Sequence, residues 1–125
     1  MSLVRILIVD DEHGIRWALE KALREEGYEV FKAASGPEGL EVLASQIISL
    51  ILLDYKMPGM SGLEVLERIK ETRPDLPVIF MTGHSSIPTA MDALKVGATA
   101  YISKPFHLTD LKETIIKVLD TRMTN

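Results

Sequence analysis

Leu50-Ile51-Leu52-Leu53-Asp54 decides the fold. Four large apolar residues in succession leave no side that water could wet, so the run reads as a strand buried on both faces, with the aspartate at its end. Val78-Ile79-Phe80-Met81 has the same form, and Val4 to Val9, interrupted only by Arg5, gives a third apolar run. Tyr28 to Ala33 alternates apolar and polar residues as a half-exposed edge strand does, and Tyr101 and Ile102 sit in a fifth strand. Between these runs lie amphipathic stretches. Ile15, Ala18, Leu19, Ala22 and Leu23 recur at helical spacing until Gly27. Gly36-Pro37-Glu38 opens a second helix carrying Leu40, Leu43 and Ala44, and a third runs from about Leu63 to Thr72, where Arg73-Pro74 ends it. The fourth covers roughly Pro88 to Lys95, with Gly97 terminating it, and Leu108, Leu111, Ile115 and Val118 put one face of the last helix on the core. Strand and helix alternate five times, and strands buried on both sides need helices on both sides. The reading is therefore α/β: a doubly wound five-stranded parallel sheet in one domain spanning residues 1–125, with residues 121–125 beginning a linker or C-terminal tail.

Composition narrows the functions. The 125 residues carry 14 basic and 18 acidic side chains, a net charge of -4, so the surface offers no means of neutralising many phosphates; direct nucleic-acid binding and binding to an anionic membrane are not expected. With no cysteine there are no thiolate metal sites, clusters or cysteine nucleophiles. No apolar run approaches the ~20 residues of a membrane span, and the acids of Met1 to His13 interrupt any secretory signal, so a cytoplasmic location is expected.

In doubly wound sheets ligands bind outside the carboxyl ends of the strands. There the sequence sets Asp10-Asp11 after the first strand, Asp54 after the third, Thr82 after the fourth and Lys104 after the fifth. Taken singly each has a bland reading, since aspartate after a strand is often a turn former or helix cap. Together they are five suitable groups on one rim. If the first and third strands are neighbours, three carboxylates converge, and their mutual repulsion calls for a hard divalent cation such as Mg²⁺, which also leaves a position for a phosphoryl oxygen. One carboxylate can then act as a nucleophile on phosphorus, with Lys104 and Thr82 available for the charge on the transferred group.

These residues also carry a resemblance. VDDE after the first strand, LLDYKMPGMSG around Asp54, MTGH after the fourth strand and GATAYISKPF around Lys104 resemble the receiver domain of bacterial two-component response regulators, over about Arg5 to Leu119. The resemblance implies a flavodoxin-like strand order 2-1-3-4-5. It implies that Asp54 is the phosphoacceptor, that Asp11 binds Mg²⁺ directly, that Asp10 does so mainly through water, and that the backbone carbonyl of Lys56 is the third protein ligand. It makes Thr82 and Tyr101 the switch pair, Lys104 the contact to the phosphoryl group, and Lys104–Pro105 a cis peptide bond, affordable only before proline. IRWALEKAL in the first helix, with MTGHSS, further resembles receivers of nitrogen-regulation-type activators that work with the alternative sigma factor; Arg16 and Trp17 are its distinctive residues, and Trp17 falls off the main apolar face.

The function implied is Mg²⁺-dependent phosphoryl transfer from a phosphohistidine on a sensor histidine kinase to Asp54, with later loss of the phosphate to water. The domain catalyses its own phosphorylation and dephosphorylation and is otherwise no enzyme. Thr82 moves toward the phosphoryl group, Tyr101 turns in behind it, and the fourth helix, fifth strand and fifth helix form the face read by an output domain for transcription or by an effector. A shift from mostly inactive to mostly active requires the phosphate to favour one state by roughly 5.5 kcal/mol. Lys56 and His84 lie two residues after Asp54 and Thr82, where they either overhang the phosphate and tune its loss, with Lys56 also pairing with Asp54 before phosphorylation, or are solvated loop residues. A homodimer through the same output face is a further expectation.

Other groups carry less. His13, His84 and His107 are scattered, Met57, Met60, Met81 and Met91 read as core and turn packing, Ser85 or Ser86 as a helix cap, and no GxGxxG follows the first strand. Three other functions stay open: a stand-alone receiver in a phosphorelay or protein-interaction role, a Mg²⁺-dependent aspartyl-phosphate phosphatase, and a flavin carrier. Adjacent rather than spaced acids and the absence of a cap disfavour the phosphatase; Asp-Asp-Glu where a flavin phosphate would sit disfavours the carrier.

Overall fold

Five parallel strands stand in the order β2-β1-β3-β4-β5: β1 is Arg5–Val9, β2 Glu29–Ala33, β3 Leu50–Asp54, β4 Val78–Gly83 and β5 Ala100–Lys104. The structure is a computed structural model that describes residues 3–83 and 87–123. The strand order is the expected one, and it makes β1 and β3 neighbours. The three inner strands are the solid apolar ones. All five residues of β3 are buried, whereas β2 and β5, each paired on one side only, alternate between covered and open positions.

Side-chain parity divides the core in two. Ile6, Ile8, Leu50, Leu52, Ile79 and Met81 point to one face, where helices α1 (His13–Glu25) and α5 (Leu108–Met123) cover them through Leu19, Leu23, Leu111 and Ile115. Leu7, Val9, Ile51, Leu53, Val78 and Phe80 point to the other, against α2 (Gly36–Ser45), α3 (Gly62–Thr72) and α4 (Ile87–Val96). Each fully covered aliphatic side chain contributes roughly 1.5–3 kcal/mol of apolar burial, enough to make the register of β3 unambiguous.

The helix starts are set locally. Ser35 accepts a hydrogen bond from the Glu38 N–H at the start of α2, and Ser61 and Glu64 form a reciprocal capping box at the start of α3. Gly62, the first residue of α3, donates its N–H to the Tyr55 carbonyl, and a Cβ there would collide with the Asp54 carbonyl oxygen. Glycine is thus required where α3 abuts the end of β3.

Several expectations need correction. β4 runs two residues further than its apolar run, so Thr82 lies within the strand; α5 extends to Met123, so the backbone of residues 121–123 is helical where a linker was expected to begin. Met57 and Met81 are buried, but Met91 on α4 is 55% exposed, and Leu108 opens toward solvent while the rest of its stripe is covered. Ala18 and Ala44 are exposed as well. In each case the helical stripe is narrower than the apolar spacing suggests, because the sheet covers about one side of each helix and leaves the flanks open. Trp17 is 58% exposed, in keeping with its place off the apolar face.

Candidate functional site

Asp10, Asp54 and Lys104 share the parity of the α1/α5 face, one pleat beyond the apolar residues that fix β1, β3 and β5. The sheet therefore delivers all three to one point. Lys104 Nζ lies 2.7 Å from Asp10 Oδ2 and 3.0 Å from Asp54 Oδ1, and Glu12 Oε1 stands at 3.7 Å. Asp10 is fully buried and Asp54 nearly so, while Asp11, one residue on, is exposed at the rim. Oxygens of Asp10, Asp11 and Asp54 all fall within 4.8 Å of one another. Beside them opens a cleft of about 1060 Å³ lined by Asp11, Asp54, Lys56, Ser61 and Lys104, among others.

The electrostatics are those of an overloaded acid cluster. Burial, then the neighbouring Asp10 charge, push the Asp54 carboxyl up to about 6, against the pull of Lys104. Burial works against the Lys104 ammonium too, but its hydrogen bonds to Asp10 and Asp54 outweigh that and raise its pKa. Three carboxylates around one ammonium leave two negative charges unopposed. A small dication bound by carboxylate oxygens would remove that excess, so the residues present fit a metal ion.

Thr82 is buried at the end of β4, one residue beyond Met81, which pairs with Asp54. Its parity is that of Phe80, and so it faces the α4 side; Tyr101, the register partner of Phe80, is 44% exposed on the same face. The rim thus separates two sets, with Asp10, Asp54 and Lys104 on one face of the sheet and Thr82 and Tyr101 on the other. The Lys104–Pro105 peptide bond is cis. Lys56 is exposed on the wall of the cleft, and among the described residues it makes no ion pair with Asp54; the ammonium that reaches Asp54 is that of Lys104, delivered by a strand rather than a loop. His84, with Ser85 and Ser86, lies outside the described residues.

Two participants escape the sequence reading. Glu12 brings a fourth carboxylate toward Lys104, and Arg16 Nη1 donates to the Asp10 carbonyl oxygen at 2.8 Å. An acid run DDE is a signal for the first; a backbone carbonyl as acceptor leaves no trace in side-chain pattern, so the second has none.

A parallel sheet in the order 2-1-3-4-5 with three acids and a lysine at its carboxyl rim defines a doubly wound fold with an acid pocket at the strand ends. The chain belongs to the response regulator receiver domain family, whose profile matches residues 6–116. It is 36% identical over 115 residues to sporulation initiation phosphotransferase F of Bacillus subtilis (strain 168), covering 92% of this chain and 93% of that one. It is 44% identical over 113 residues to the DNA-binding transcriptional regulator NtrC of Escherichia coli (strain K12), covering 90% of this chain and 24% of that one. The crystal structure of a CheY-like response regulator receiver domain protein from Methanospirillum hungatei JF-1 superposes with a TM-score of 0.94 at 41% identity, over 98% of both chains. The chain is thus a receiver domain of two-component response regulators, and its relatives include nitrogen-regulation-type regulators of which it spans about a quarter. Among the described residues no helix is long and apolar enough to cross a membrane.

Proposed function

We propose that Asp54 accepts a phosphoryl group from a phosphohistidine on a sensor histidine kinase, with Mg²⁺ held by Asp10, Asp11, Asp54 and the Lys56 backbone carbonyl. The observation that carries this reading is the convergence of three carboxylate groups within 4.8 Å beside a lysine 3.0 Å from Asp54. In the transfer the bond from phosphorus to the imidazole nitrogen breaks as one Asp54 oxygen bonds to phosphorus, and the imidazole leaves with a proton from solvent. Bound Mg²⁺ would supply charge for the phosphoryl oxygens and for the acids themselves.

The residues of this chain divide the remaining work. Burial keeps Asp54 poorly solvated, hence reactive once ionised, and at neutral pH a carboxyl that titrates at about 6 is mostly ionised. Lys104 stands ready to exchange a carboxylate for a phosphoryl oxygen, and the Thr82 hydroxyl donates to another once it moves toward the site. That movement vacates space on the α4 face for Tyr101, whose present exposure is the starting point of the switch. Attack of water on phosphorus later returns inorganic phosphate and the Asp54 carboxylate. Lys56 and His84 tune that step; exchanging both for alanine and following phosphate loss should change the lifetime, and an unchanged lifetime removes their role. Catalysis of its own phosphorylation and dephosphorylation is the domain's whole chemistry.

The output reading rests on the likeness to NtrC, a DNA-binding transcriptional regulator: in the cytoplasm, α4, β5 and α5 of this chain signal to a transcription output domain, or pair two copies through that face. A stand-alone receiver in a phosphorelay is the second reading, favoured by the match along nearly the whole length of the sporulation phosphotransferase. Incubation with acetyl phosphate and Mg²⁺ followed by intact mass tests the shared core. A gain of one phosphate that is absent from Asp54→Asn and absent in EDTA is expected, and no gain in the unaltered protein would refute it.

A further inference from the structure

α1 begins differently from its neighbours. Serine side chains cap α2 and α3, but Glu12 at the N-cap of α1 makes no side-chain cap hydrogen bond, and the first turn of α1 holds no acid. Yet the segment leading into it, Asp10-Asp11-Glu12, carries three adjacent carboxylates whose repulsion favours splaying apart. At its β1 end the segment is held by the Asp10 N–H, which donates to the Ala33 carbonyl at 3.1 Å. Within it, Asp10 Oδ1 accepts from the Glu12 N–H at 2.9 Å, leaving Oδ2 to Lys104. From the helix side the hold is the Arg16 guanidinium, which donates to the Asp10 carbonyl oxygen at 2.8 Å.

We propose that Arg16 is a positioning residue for the acid pocket: by gripping the backbone carbonyl of Asp10 it fixes the course of the β1–α1 loop, and so the convergence of Asp10 and Asp11 with Asp54 on one divalent cation. The inference rests on the reading of those three acids as the cation's ligands. Two properties of Arg16 pull in opposite directions. As a positive charge beside an acid cluster it opposes a second cation; as a clamp it preorganises the ligands. Removing it tightens Mg²⁺ binding if charge is all it supplies and weakens binding if the clamp dominates. A planar guanidinium on a half-buried stem, aimed at a carbonyl rather than at a carboxylate, is arranged for the second role.

The test is calorimetric titration of the protein with MgCl₂, for the unaltered chain, Arg16→Met and Arg16→Lys, with urea unfolding in EDTA alongside. Arg16→Met should bind Mg²⁺ about tenfold more weakly, and Arg16→Lys, which keeps one donor, should recover most of that loss. The urea midpoints in EDTA should stay together. Should Arg16→Met not fold, Arg16→Gln takes its place under the same criteria. Binding by the methionine variant as tight as the unaltered chain or tighter overturns the proposal, and so does a lysine variant no better than methionine. An unaltered chain that binds no Mg²⁺ overturns the cation reading itself and this inference with it.

Discussion

β3 and β5 end on the same rim and their last residues touch, yet they are built in opposite ways. LILLD is buried at every position, with paired strands on both edges and helices on both faces; AYISK is an edge strand whose alternate residues meet solvent. Asp54 is thus fixed by a strand that cannot shift without breaking the core. Lys104 and Tyr101 belong to one that can adjust locally at low cost. The difference teaches how one rim holds a stationary group beside an adjustable one: on the proposed reading the acceptor, Asp54, and the threonine that answers it, Thr82, sit on inner strands, and only Tyr101 and Lys104 sit on the edge.

The contrast breaks most readily at the level of stability. Leu52→Ala in β3 should cost about 2–5 kcal/mol by urea unfolding, because a fully buried leucine leaves a cavity. Tyr101→Ala in β5 should cost under about 1 kcal/mol, since its ring is already half in water. Equal costs would mean that the two strands are not different in kind.

A somewhat smaller effect concerns charge. The Asp54 carboxyl titrates at about 6 in the folded chain and near the ordinary aspartate value of 3.8 when unfolded. Between those values the folded form holds the extra proton, so stability falls as pH rises from about 4 to 6 and stays lower above. In Mg²⁺-free buffer at pH 7, Asp54→Asn should therefore be the more stable form, by up to about 3 kcal/mol, and the gain should vanish below pH 4. A destabilised asparagine variant would show that Lys104 holds Asp54 more favourably than burial and Asp10 oppose it.

This balance also separates what could be read in the sequence from what could not. The apolar runs dictate the parallel sheet, and the five rim groups follow from where those runs stop, so Asp10, Asp11, Asp54, Thr82 and Lys104 were legible. The partner of Asp54 was not: Lys56 is the nearer cation along the chain, but alternation along β5 and pairing of strands across the sheet bring Lys104 instead. Arg16 was invisible as a clamp because its acceptor is a main-chain carbonyl. The exposure of Met91 and Leu108 depends on how wide a stripe the sheet covers, which spacing alone does not give.

The smallest effect is that of the cation on folding. At a Mg²⁺ concentration ten times its dissociation constant, stability should rise by about 1–2 kcal/mol, seen as a higher melting temperature, and Asp11→Asn should abolish most of that response. Tyr101→Ala, on the movable strand, should keep it. Loss of the response in Tyr101→Ala would tie β5 to the resting site more tightly than the geometry indicates.

The central claim is that the buried aspartate at the end of the immobile strand, and neither acid of the β1–α1 loop, takes the phosphoryl group. Reduction with sodium borohydride after treatment with acetyl phosphate and Mg²⁺ converts an acyl phosphate of aspartate to homoserine, which peptide mass mapping then locates. Homoserine at residue 54 alone is the predicted result. Homoserine at residue 10 or 11, or a phosphate that survives with no homoserine at all, would contradict it.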